Sequence, residues 1–354
     1  MTFQSLLAYN TLHPYFQERV RCHEPLAEHS SFGVGGPADL WLSIETRQEL
    51  NDLISLCTQQ RWPLLVTGAG SNILYADTGV RGIVARIAMS NYHVEEQADK
   101  SALIIAEAGV RWTELLKELV SPGWGGLEFG VGIPGTMGAG VISNVGTHNK
   151  ELGQALEWIE VLDARACNRP EKEPSMFPVM AFRRYQHDDL DLGYRHSRFR
   201  ENRLTHITPQ GQLILPPRGL IEPAELVVTL CLRVHRQDPA ILENLLKQHI
   251  QERRKADPEQ RHCGSIFKDP PGTTARVLIE RAGLAGKIRG NAQISEQNAN
   301  YIVNLNRANA TDIATLIVEA HQQVLARFGV SLALNVELLG EWQSFTNTLT
   351  VSSS

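Results

Sequence analysis

The sequence has little of what marks secreted, metal-binding or membrane proteins. Its five cysteines, at positions 22, 57, 167, 231 and 263, are odd in number and lack a C-x-x-C spacing, so we expect neither a disulfide framework nor a metal site. No apolar run reaches the roughly 18 residues of a membrane helix, and the first twenty residues lack a signal-peptide pattern. These absences predict a soluble, cytoplasmic protein without a membrane partner.

The charge balance shows no excess of basic residues. The 34 Lys and Arg face 39 Asp and Glu, giving a formal net charge of -5, so we expect no nucleic-acid partner. Aromatic residues make up only 6%, but hydrophobic residues reach 42%, which is enough to build a core. With 354 residues, the chain is long enough for two or three packed units.

Glycine, in contrast, is concentrated in one place, because nine of its 28 copies lie within residues 123–146. A flexible linker is one explanation, but large apolar residues such as Leu127, Phe129 and Ile133 are interleaved with these glycines, which argues against a solvated segment. Glycine lets a backbone pass close to a flat ligand where a Cβ atom would collide. The segment therefore predicts one wall of a binding site.

A second glycine-bearing segment, residues 68–72 (GAGSN), directly follows an apolar run. Its backbone N–H groups could face a phosphate, although a plain tight turn explains the segment equally well, and it matches neither the Walker nor the G-x-G-x-x-G pattern. Taken together, the two segments favour a dinucleotide held outside the Rossmann scheme, with FAD preferred to NAD.

Hydrophobic periodicity predicts an α/β or α+β protein. Thr46 and Glu49 are typical of the start of a helix over residues 47–62. Residues 330–338 alternate as a strand does, which places Glu337 on the face away from the leucines. The domain boundary is expected near residue 236, and the proline-rich residues 166–224 are expected to form mostly loops. Strands are further predicted at 63–67, 82–87, 102–107, 157–162 and 225–234, and helices at 113–120, after Pro239, and from Thr311 to Gly329.

Six separated motifs occur along the chain in a distinctive order: residues 31–38 (SFGVGGPA), 68–74 (GAGSNIL), 132–138 (GIPGTMG) with 144–146 (NVG), 193–199 (GYRHSRF), 264–270 (GSIFKDP), and Glu337. In sequence and order they resemble the UDP-N-acetylenolpyruvoylglucosamine reductases of bacterial peptidoglycan synthesis. The resemblance covers about residues 27 to 340, and it is nearest to the subgroup that lacks a tyrosine-bearing substrate loop.

The resemblance implies a two-lobed FAD-binding module of the vanillyl-alcohol-oxidase (PCMH) type with a C-terminal α/β substrate-binding lobe. It divides the chain into an N-terminal extension (1–26), the FAD-binding module (27–235), the substrate-binding domain (236–345) and a tail (346–354). The implied reaction uses non-covalent FAD and NADPH as hydride source to reduce UDP-N-acetylglucosamine enolpyruvate to UDP-N-acetylmuramate. We expect a monomer rather than an obligate oligomer.

Residue roles follow from the same resemblance. Ser265 would be the proton donor, while Arg195 and Glu337 would flank the substrate's carboxylate. Substrate contacts are expected from Tyr194, Lys255 and Lys268. The cofactor-binding set is Gly68, Ala69, Gly70, Ser71, Asn72, Ile73, Ile133, Pro134, Gly135, Gly138, Asn144 and Gly146. Without the resemblance, a purely structural role remains open for each of four residues. Arg195 could be a solvated surface residue, Ser265 a turn residue and Glu337 a solvent-facing strand residue. Lys255 could lie at a helix C-terminus and stabilise the helix dipole there.

Some positions depart from the family pattern. Asp269 stands in place of a usual asparagine, Asn298 in place of a usual histidine, and His148 and Asn149 in place of tyrosine and glycine. These departures leave room for a flavin oxidase of the same fold acting on another alcohol or sugar, or for a catalytically silent nucleotide-sugar binding protein. Residues 200–223 are expected to be a local insertion or a replacement lid. Cys263 next to His262 is interpreted as incidental rather than as a nucleophile.

Overall fold

The computed structural model describes residues 3–147, 150–165 and 181–342. The departures at His148 and Asn149, the loops expected at 166–180 and the C-terminal tail lie outside these residues. The described part contains seven α-helices: α1 (Ser5–Phe16), α2 (Arg47–Gln60), α3 (Trp112–Val120), α4 (Met137–Ser143), α5 (Pro239–Ala256), α6 (Ala275–Arg281) and α7 (Ala310–Phe328).

The helix ends follow local signals in the sequence. The Thr46 hydroxyl accepts a hydrogen bond from the Glu49 N–H and begins α2, although the Glu49 carboxylate bonds to the Glu45 N–H instead of closing a reciprocal capping box. The helix ends two residues before the predicted end. Gly329, with φ of 69°, ends α7 as predicted.

The part of the chain before the expected boundary near residue 236 contains two sheets. The first has the strand order β1-β2-β5-β3-β15, in which only β1 is antiparallel to its neighbour. The second is antiparallel, with the order β12-β11-β16-β7-β6, and β8 also pairs with β16. Their strands are β1 (Arg21–Pro25), β2 (Pro37–Ile44), β3 (Leu64–Thr67), β5 (Val80–Ile87), β6 (Tyr92–Glu96), β7 (Ser101–Glu107), β8 (Trp124–Gly125), β11 (Leu156–Asp163), β12 (Ala181–Gln186), β15 (Ile221–Glu222) and β16 (Glu225–Arg236).

One apolar core joins these two sheets, and a second core lies in the C-terminal part around α6 and α7. A three-stranded antiparallel sheet, β17-β18-β19, belongs to the C-terminal part. The remaining pairs are short and join β9 to β10, β13 to β14, and β4 to β20. These strands are β4 (Ile73–Tyr75), β9 (Gly146–Thr147), β10 (Lys150–Glu151), β13 (His206–Ile207), β14 (Leu213–Ile214), β17 (Ile288–Arg289), β18 (Ala292–Ile294), β19 (Ile302–Asn304) and β20 (Glu337–Leu339).

One sequence-based prediction needs correction. The strand predicted over 330–338 is regular only at β20; before it, Leu334 forms one bridge with Phe267. After this bridge the chain pairs with β4 instead of with the segment around Phe267, so the ladder does not extend beyond it. The alternation of burial is still present, with Leu332, Leu334 and Val336 buried. The described part of the proline-rich region, residues 181–224, is mostly irregular as expected, although β12 is an edge strand of the second sheet.

Helix α5 follows the expected domain boundary, yet it contacts α3 and the turn at Glu128–Gly130, which precede that boundary. The side chain of His249 also approaches the carbonyl of Glu128 at 3.3 Å. Leu242 is the buried residue of this helix. The helix therefore packs against the part of the chain that precedes it, and the boundary near 236 stays a prediction.

Candidate active site

A cleft of about 450 Å³ opens between the two glycine-bearing segments and the C-terminal part. It brings together most of the predicted site. Arg195, Ser265 and Glu337 all line it, although they come from three separate regions of the sequence. The predicted cofactor residues that line it are Gly68, Ala69, Gly70, Ser71, Asn72, Ile73, Ile133, Pro134, Gly135, Gly138 and Gly146.

The first glycine segment leaves β3 and turns against the chain near His29. Gly70 has φ of 67°, and a Cβ atom there would lie 1.9 Å from the His29 carbonyl oxygen. Only glycine fits this position, on both conformational and steric grounds. Asn72, at the end of the segment, donates from Nδ2 to the Asn335 carbonyl at 2.7 Å. The loop is thus tied directly to the C-terminal part.

The second glycine segment lies against the first. A Cβ atom on Gly135, whose φ is 114°, would be 2.6 Å from Ser71 Oγ. A Cβ atom on Gly138, in the first turn of α4, would be 2.6 Å from Ala108 Cβ. The two segments therefore form adjoining walls whose backbone is exposed to the cleft, a cradle that suits a flat, extended cofactor.

Asn144 is the predicted cofactor residue that does not line the cleft. It ends α4 in a left-handed conformation, with φ of 40°, and is buried. Its side chain accepts from the Gly153 N–H and donates to the Gly193 carbonyl, both at 2.9 Å. Asn144 therefore supports the turn that carries Arg195 rather than facing the cleft itself.

Arg195 lies in a tight turn closed by two backbone hydrogen bonds between Gly193 and His196. Its φ of 51° is unusual for a residue with a side chain, and its Nη2 donates to the Gly146 carbonyl at 2.6 Å. The buried Ser197 adds a hydrogen bond from its hydroxyl to the Ile142 carbonyl. These contacts hold the guanidinium at the cleft, so the open alternative of a freely solvated arginine does not apply.

Ser265 follows Gly264, whose φ is 82°. The Gly264 N–H donates to His262 Nδ1 at 2.9 Å, and the Ser265 carbonyl accepts from Asn335 Nδ2 at 3.0 Å. The serine is therefore at a turn whose backbone is fixed on both sides. Burial raises the pKa of the neighbouring Cys263 thiol, which supports the interpretation that this cysteine is no nucleophile.

Glu337 is buried, with 7% of its surface exposed, and its carboxylate accepts from Arg203 Nη2 at 3.0 Å and Nε at 3.3 Å. The carboxylate on the polar face of this segment thus has a partner inside the cleft. Arg203 was not predicted as a site residue. It comes from the stretch 200–223, interpreted from sequence as an insertion or lid, which contributes at least two arginines to the cleft.

Arg200 is the second of these arginines and is 1% exposed. One Nη2 hydrogen bond reaches Asn335 Oδ1 at 3.1 Å, another reaches the Asn335 backbone carbonyl, and Nε has no partner. Burial lowers the pKa of Arg200 to about 10, so it stays charged at neutral pH. In the described part of the chain no carboxylate pairs with Arg195 or Arg200 at ion-pair distance, and this end of the cleft therefore favours an anion.

The predicted substrate residues lie outside the cleft lining. Tyr194 is 51% exposed and its hydroxyl is 3.3 Å from Asp269 Oδ2. Lys255 is exposed near the end of α5, whereas Arg253, two residues earlier in the same helix, does line the cleft. Lys268 is half-buried, and burial together with the charge of Arg200 lowers its pKa. The contact of these three residues with substrate stays a prediction.

Two family departures have local roles. Asp269 Oδ1 accepts from the Ala275 N–H at 2.8 Å, at the start of α6. Asn298 Oδ1 accepts from the Asn300 N–H at 3.1 Å. Both residues therefore stabilise loops next to the site. The described residues contain no cluster of three or more metal-ligating side chains and no helix long and apolar enough to span a membrane.

Comparisons with known proteins agree with this geometry. Residues 38–166 match the model described as FAD binding domain, and residues 257–339 match the model described as UDP-N-acetylenolpyruvoylglucosamine reductase, C-terminal domain. A protein named UDP-N-acetylenolpyruvoylglucosamine reductase 2 from Symbiobacterium thermophilum is 34% identical over 325 residues, covering 91% of this chain and 92% of that protein. The chain belongs to the UDP-N-acetylenolpyruvoylglucosamine reductase family.

Further family members are similar over almost their whole length. The reductase from Chloroflexus aggregans is 34% identical over 320 residues, covering 90% of this chain and 97% of that protein. The crystal structure of the UDP-N-acetylenolpyruvylglucosamine reductase from Thermus caldophilus has a TM-score of 0.68 at 29% identity, covering 90% of this chain and 98% of its own. The expected family and the two-lobed FAD-binding fold are therefore confirmed.

Proposed function

We propose that this protein is an FAD-dependent reductase that uses NADPH to convert UDP-N-acetylglucosamine enolpyruvate into UDP-N-acetylmuramate. The observation that carries the proposal is that one cleft joins both glycine segments to Arg195 and Ser265 in a member of this family. In the balanced reaction, NADPH supplies a hydride and solvent supplies a proton, so that the vinyl double bond becomes a lactyl ether and NADP⁺ is released.

The residues present fit FAD. The glycine segments at 68–72 and 132–138 line the cleft side by side. Glycine at Gly70 and Gly135 lets the backbone pack this closely, because Cβ atoms there would lie 1.9 Å from the His29 carbonyl oxygen and 2.6 Å from Ser71 Oγ. Backbone N–H groups of such a cradle can hold a diphosphate, and the apolar side chains beside them, Ile133 and Pro134, can face a ring system. When bound there, FAD would accept the hydride of NADPH and supply it to the substrate.

Arg195 would stabilise the negative charge that develops on the substrate's carboxylate side. Its guanidinium is fixed by the bond to the Gly146 carbonyl and by the turn at Gly193. A charge held in place before the reaction needs no reorganisation when the transition state forms, which makes such stabilisation effective. Arg200, which lines the same cleft and stays charged at neutral pH, adds a second positive charge.

Ser265 would deliver the proton to the carbon next to the carboxylate. A hydroxyl is a weak acid, so proton transfer from it depends strongly on how the group is held relative to the substrate carbon. The turn at Gly264 and the clamp from Asn335 limit the directions in which the side chain can point. Glu337 would flank the substrate's carboxylate, with Arg203 offsetting its charge.

The direct test is a spectrum and an assay. The purified protein should be yellow, should release its flavin on acid precipitation, and should oxidise NADPH faster when UDP-N-acetylglucosamine enolpyruvate is added. Flavin that stays with the precipitated protein would indicate the oxidase alternative. Binding of the nucleotide sugar without turnover would indicate the silent binding protein.

The cellular setting is part of the same proposal. We infer a cytoplasmic monomer that takes a small-molecule UDP-sugar and has no nucleic-acid partner. The net charge of -5 supports the last point. Sedimentation of the holoprotein over a range of concentrations tests the oligomeric state, and a constant mass of two chains would overturn the monomer.

A further inference from the structure

The backbone around Ser265 is held by two side chains that the sequence did not single out as site residues. On one side, the Gly264 N–H donates to His262 Nδ1 at 2.9 Å. On the other, Asn335 Nδ2 donates to the Ser265 carbonyl at 3.0 Å. A Cβ atom on Gly264 would meet nothing within 4 Å, so the glycine is needed for its φ of 82° and not for space.

His262 has a defined environment within the cleft lining. Its ring lies 4.9 Å from the ring of Tyr301 at an angle of 35°. The Tyr301 hydroxyl donates to Asp257 Oδ1 at 3.0 Å, and Arg253 Nε donates to Asp257 Oδ2 at 2.8 Å. The tilted tyrosine ring therefore packs against one side of the imidazole, and the ion pair holds the tyrosine through its hydroxyl.

The protonation state of His262 follows from the same surroundings. Burial lowers its pKa, Asp257 raises it and Arg253 lowers it, with a net decrease from the ordinary value of about 6.5. The imidazole is therefore neutral at pH 7, and Nδ1 is free to accept the Gly264 N–H. Burial raises the pKa values of the facing Tyr301 and Cys263, so both stay uncharged there.

We propose that His262 is a positioning residue for Ser265, acting through its Nδ1 acceptor on the Gly264 N–H. This inference rests on the proposed function, because it assigns the residue that orients the proton donor. An imidazolium carries a proton on both nitrogens and cannot accept the Gly264 N–H. Protonation of His262 therefore removes the contact and releases the turn.

The rate of substrate reduction should depend on pH through His262. Because the pKa of His262 is lowered in the folded protein, the contact is complete near neutral pH and is lost as the pH falls through that lowered value. Reduction of the substrate should decrease on this acid side. Reduction of the bound flavin by NADPH needs no proton from Ser265 and should not follow the same limb.

Two substitutions distinguish the effect of losing the hydrogen-bond acceptor from the effect of losing the imidazole ring. His262→Ala removes the acceptor. His262→Asn puts Oδ1 close to the position of Nδ1, keeps an acceptor for the Gly264 N–H, and cannot titrate. The control is His321→Ala: His321 is also buried with a pKa lowered by burial, contacts the Leu332 carbonyl through Nδ1 at 3.0 Å, and lies outside the cleft lining.

The experiment measures the two half-reactions anaerobically across pH. We expect His262→Ala to slow substrate reduction about tenfold or more, on the scale of losses from small misplacements of reacting groups. His262→Asn should recover most of that rate and lose the acid limb, and His321→Ala should change neither. An Asn variant as slow as the Ala variant, or one that keeps the acid limb, would overturn the proposal.

A second readout does not depend on turnover. Hydrogen exchange at the Gly264 amide should be slow in the wild type, fast in His262→Ala and slow again in His262→Asn. If the three proteins show this pattern of exchange but the wild type has no substrate-dependent turnover, the proposed function is wrong and the His262–Gly264 contact is still supported. If Gly264 exchanges equally fast in all three proteins, the positioning role is wrong.

Discussion

Asn335 donates from Nδ2 to the Ser265 carbonyl at 3.0 Å, and its own backbone carbonyl accepts from Asn72 Nδ2 at 2.7 Å. One residue thus connects the turn of the proposed proton donor with the first glycine segment. Arg200 binds the same residue through the Asn335 side chain and backbone. Asn335 is therefore the junction between the FAD-binding half and the catalytic turn.

We predict that Asn335→Ala slows substrate reduction by about tenfold to a hundredfold and leaves flavin reduction by NADPH within a factor of about three, because it misplaces Ser265 without touching the NADPH step. Rapid-mixing measurement of the two half-reactions checks this. Asn304→Ala is the matched control, since Asn304 is a buried asparagine bonded to the Phe32 carbonyl away from the cleft lining. Equal losses in both half-reactions would contradict the prediction.

The ion pair of Arg203 and Glu337 should behave as a coupled unit. Arg203→Met leaves the 7%-exposed carboxylate of Glu337 without its partner and should lower the free energy of unfolding by about 3 kcal/mol. Adding Glu337→Gln should restore part of that loss, because no uncompensated charge remains. Denaturant titrations of the single and double variants measure the coupling, and strictly additive losses would argue against it.

Gly135→Ala should reduce bound flavin. The substitution strains a backbone with φ of 114° and places a Cβ atom 2.6 Å from Ser71 Oγ, where the two glycine segments meet. We expect the protein to purify with less than half of the wild-type flavin absorbance per chain. Gly272→Ala is the control, since its φ of 79° carries similar strain with nothing within 4 Å. Equal flavin content in the two variants would be the contrary result.

Asp269 places a negative charge beside Tyr194. Burial, and after it the Asp269 carboxylate, raises the pKa of Tyr194. Asp269→Asn keeps the side-chain acceptor for the Ala275 N–H but removes the charge, so the pKa of Tyr194 should decrease. The KM for a UDP-sugar substrate should fall several-fold, because one exposed charge–charge interaction is worth up to about 1 kcal/mol. Tyrosinate titration and steady-state kinetics test both effects. A higher KM would show that the carboxylate helps binding.

Much of the fold was predictable because its signals are local. The glycines near Phe129 and Ile133 alternate with large apolar residues, which argues against a solvated linker from this segment alone. In the structure, Ile133 and its neighbouring glycines line the cleft. The helix end at Gly329 and the burial alternation before Glu337 also depend on residues that are neighbours in the sequence.

The partners within the site were not predictable in the same way. Arg203 is 134 positions from Glu337 and lies in a proline-rich stretch without periodicity, so no pattern joins the two. His262 drew attention only as a neighbour of Cys263, because its bond to the Gly264 N–H depends on a turn that sequence does not specify. Contacts between distant segments arise from packing, and the sequence signal for this one is a carboxylate, Glu337, in a segment of otherwise alternating apolar residues.

The most direct test of the central claim is the anaerobic reoxidation of enzyme previously reduced with NADPH. Added UDP-N-acetylglucosamine enolpyruvate should restore the oxidised flavin spectrum of the wild type. Ser265→Ala should accept electrons from NADPH at a similar rate but return them to substrate about a hundredfold or more slowly, the usual cost of losing a general acid. A wild type that the substrate does not reoxidise, or a Ser265→Ala variant as fast as the wild type, would contradict the account.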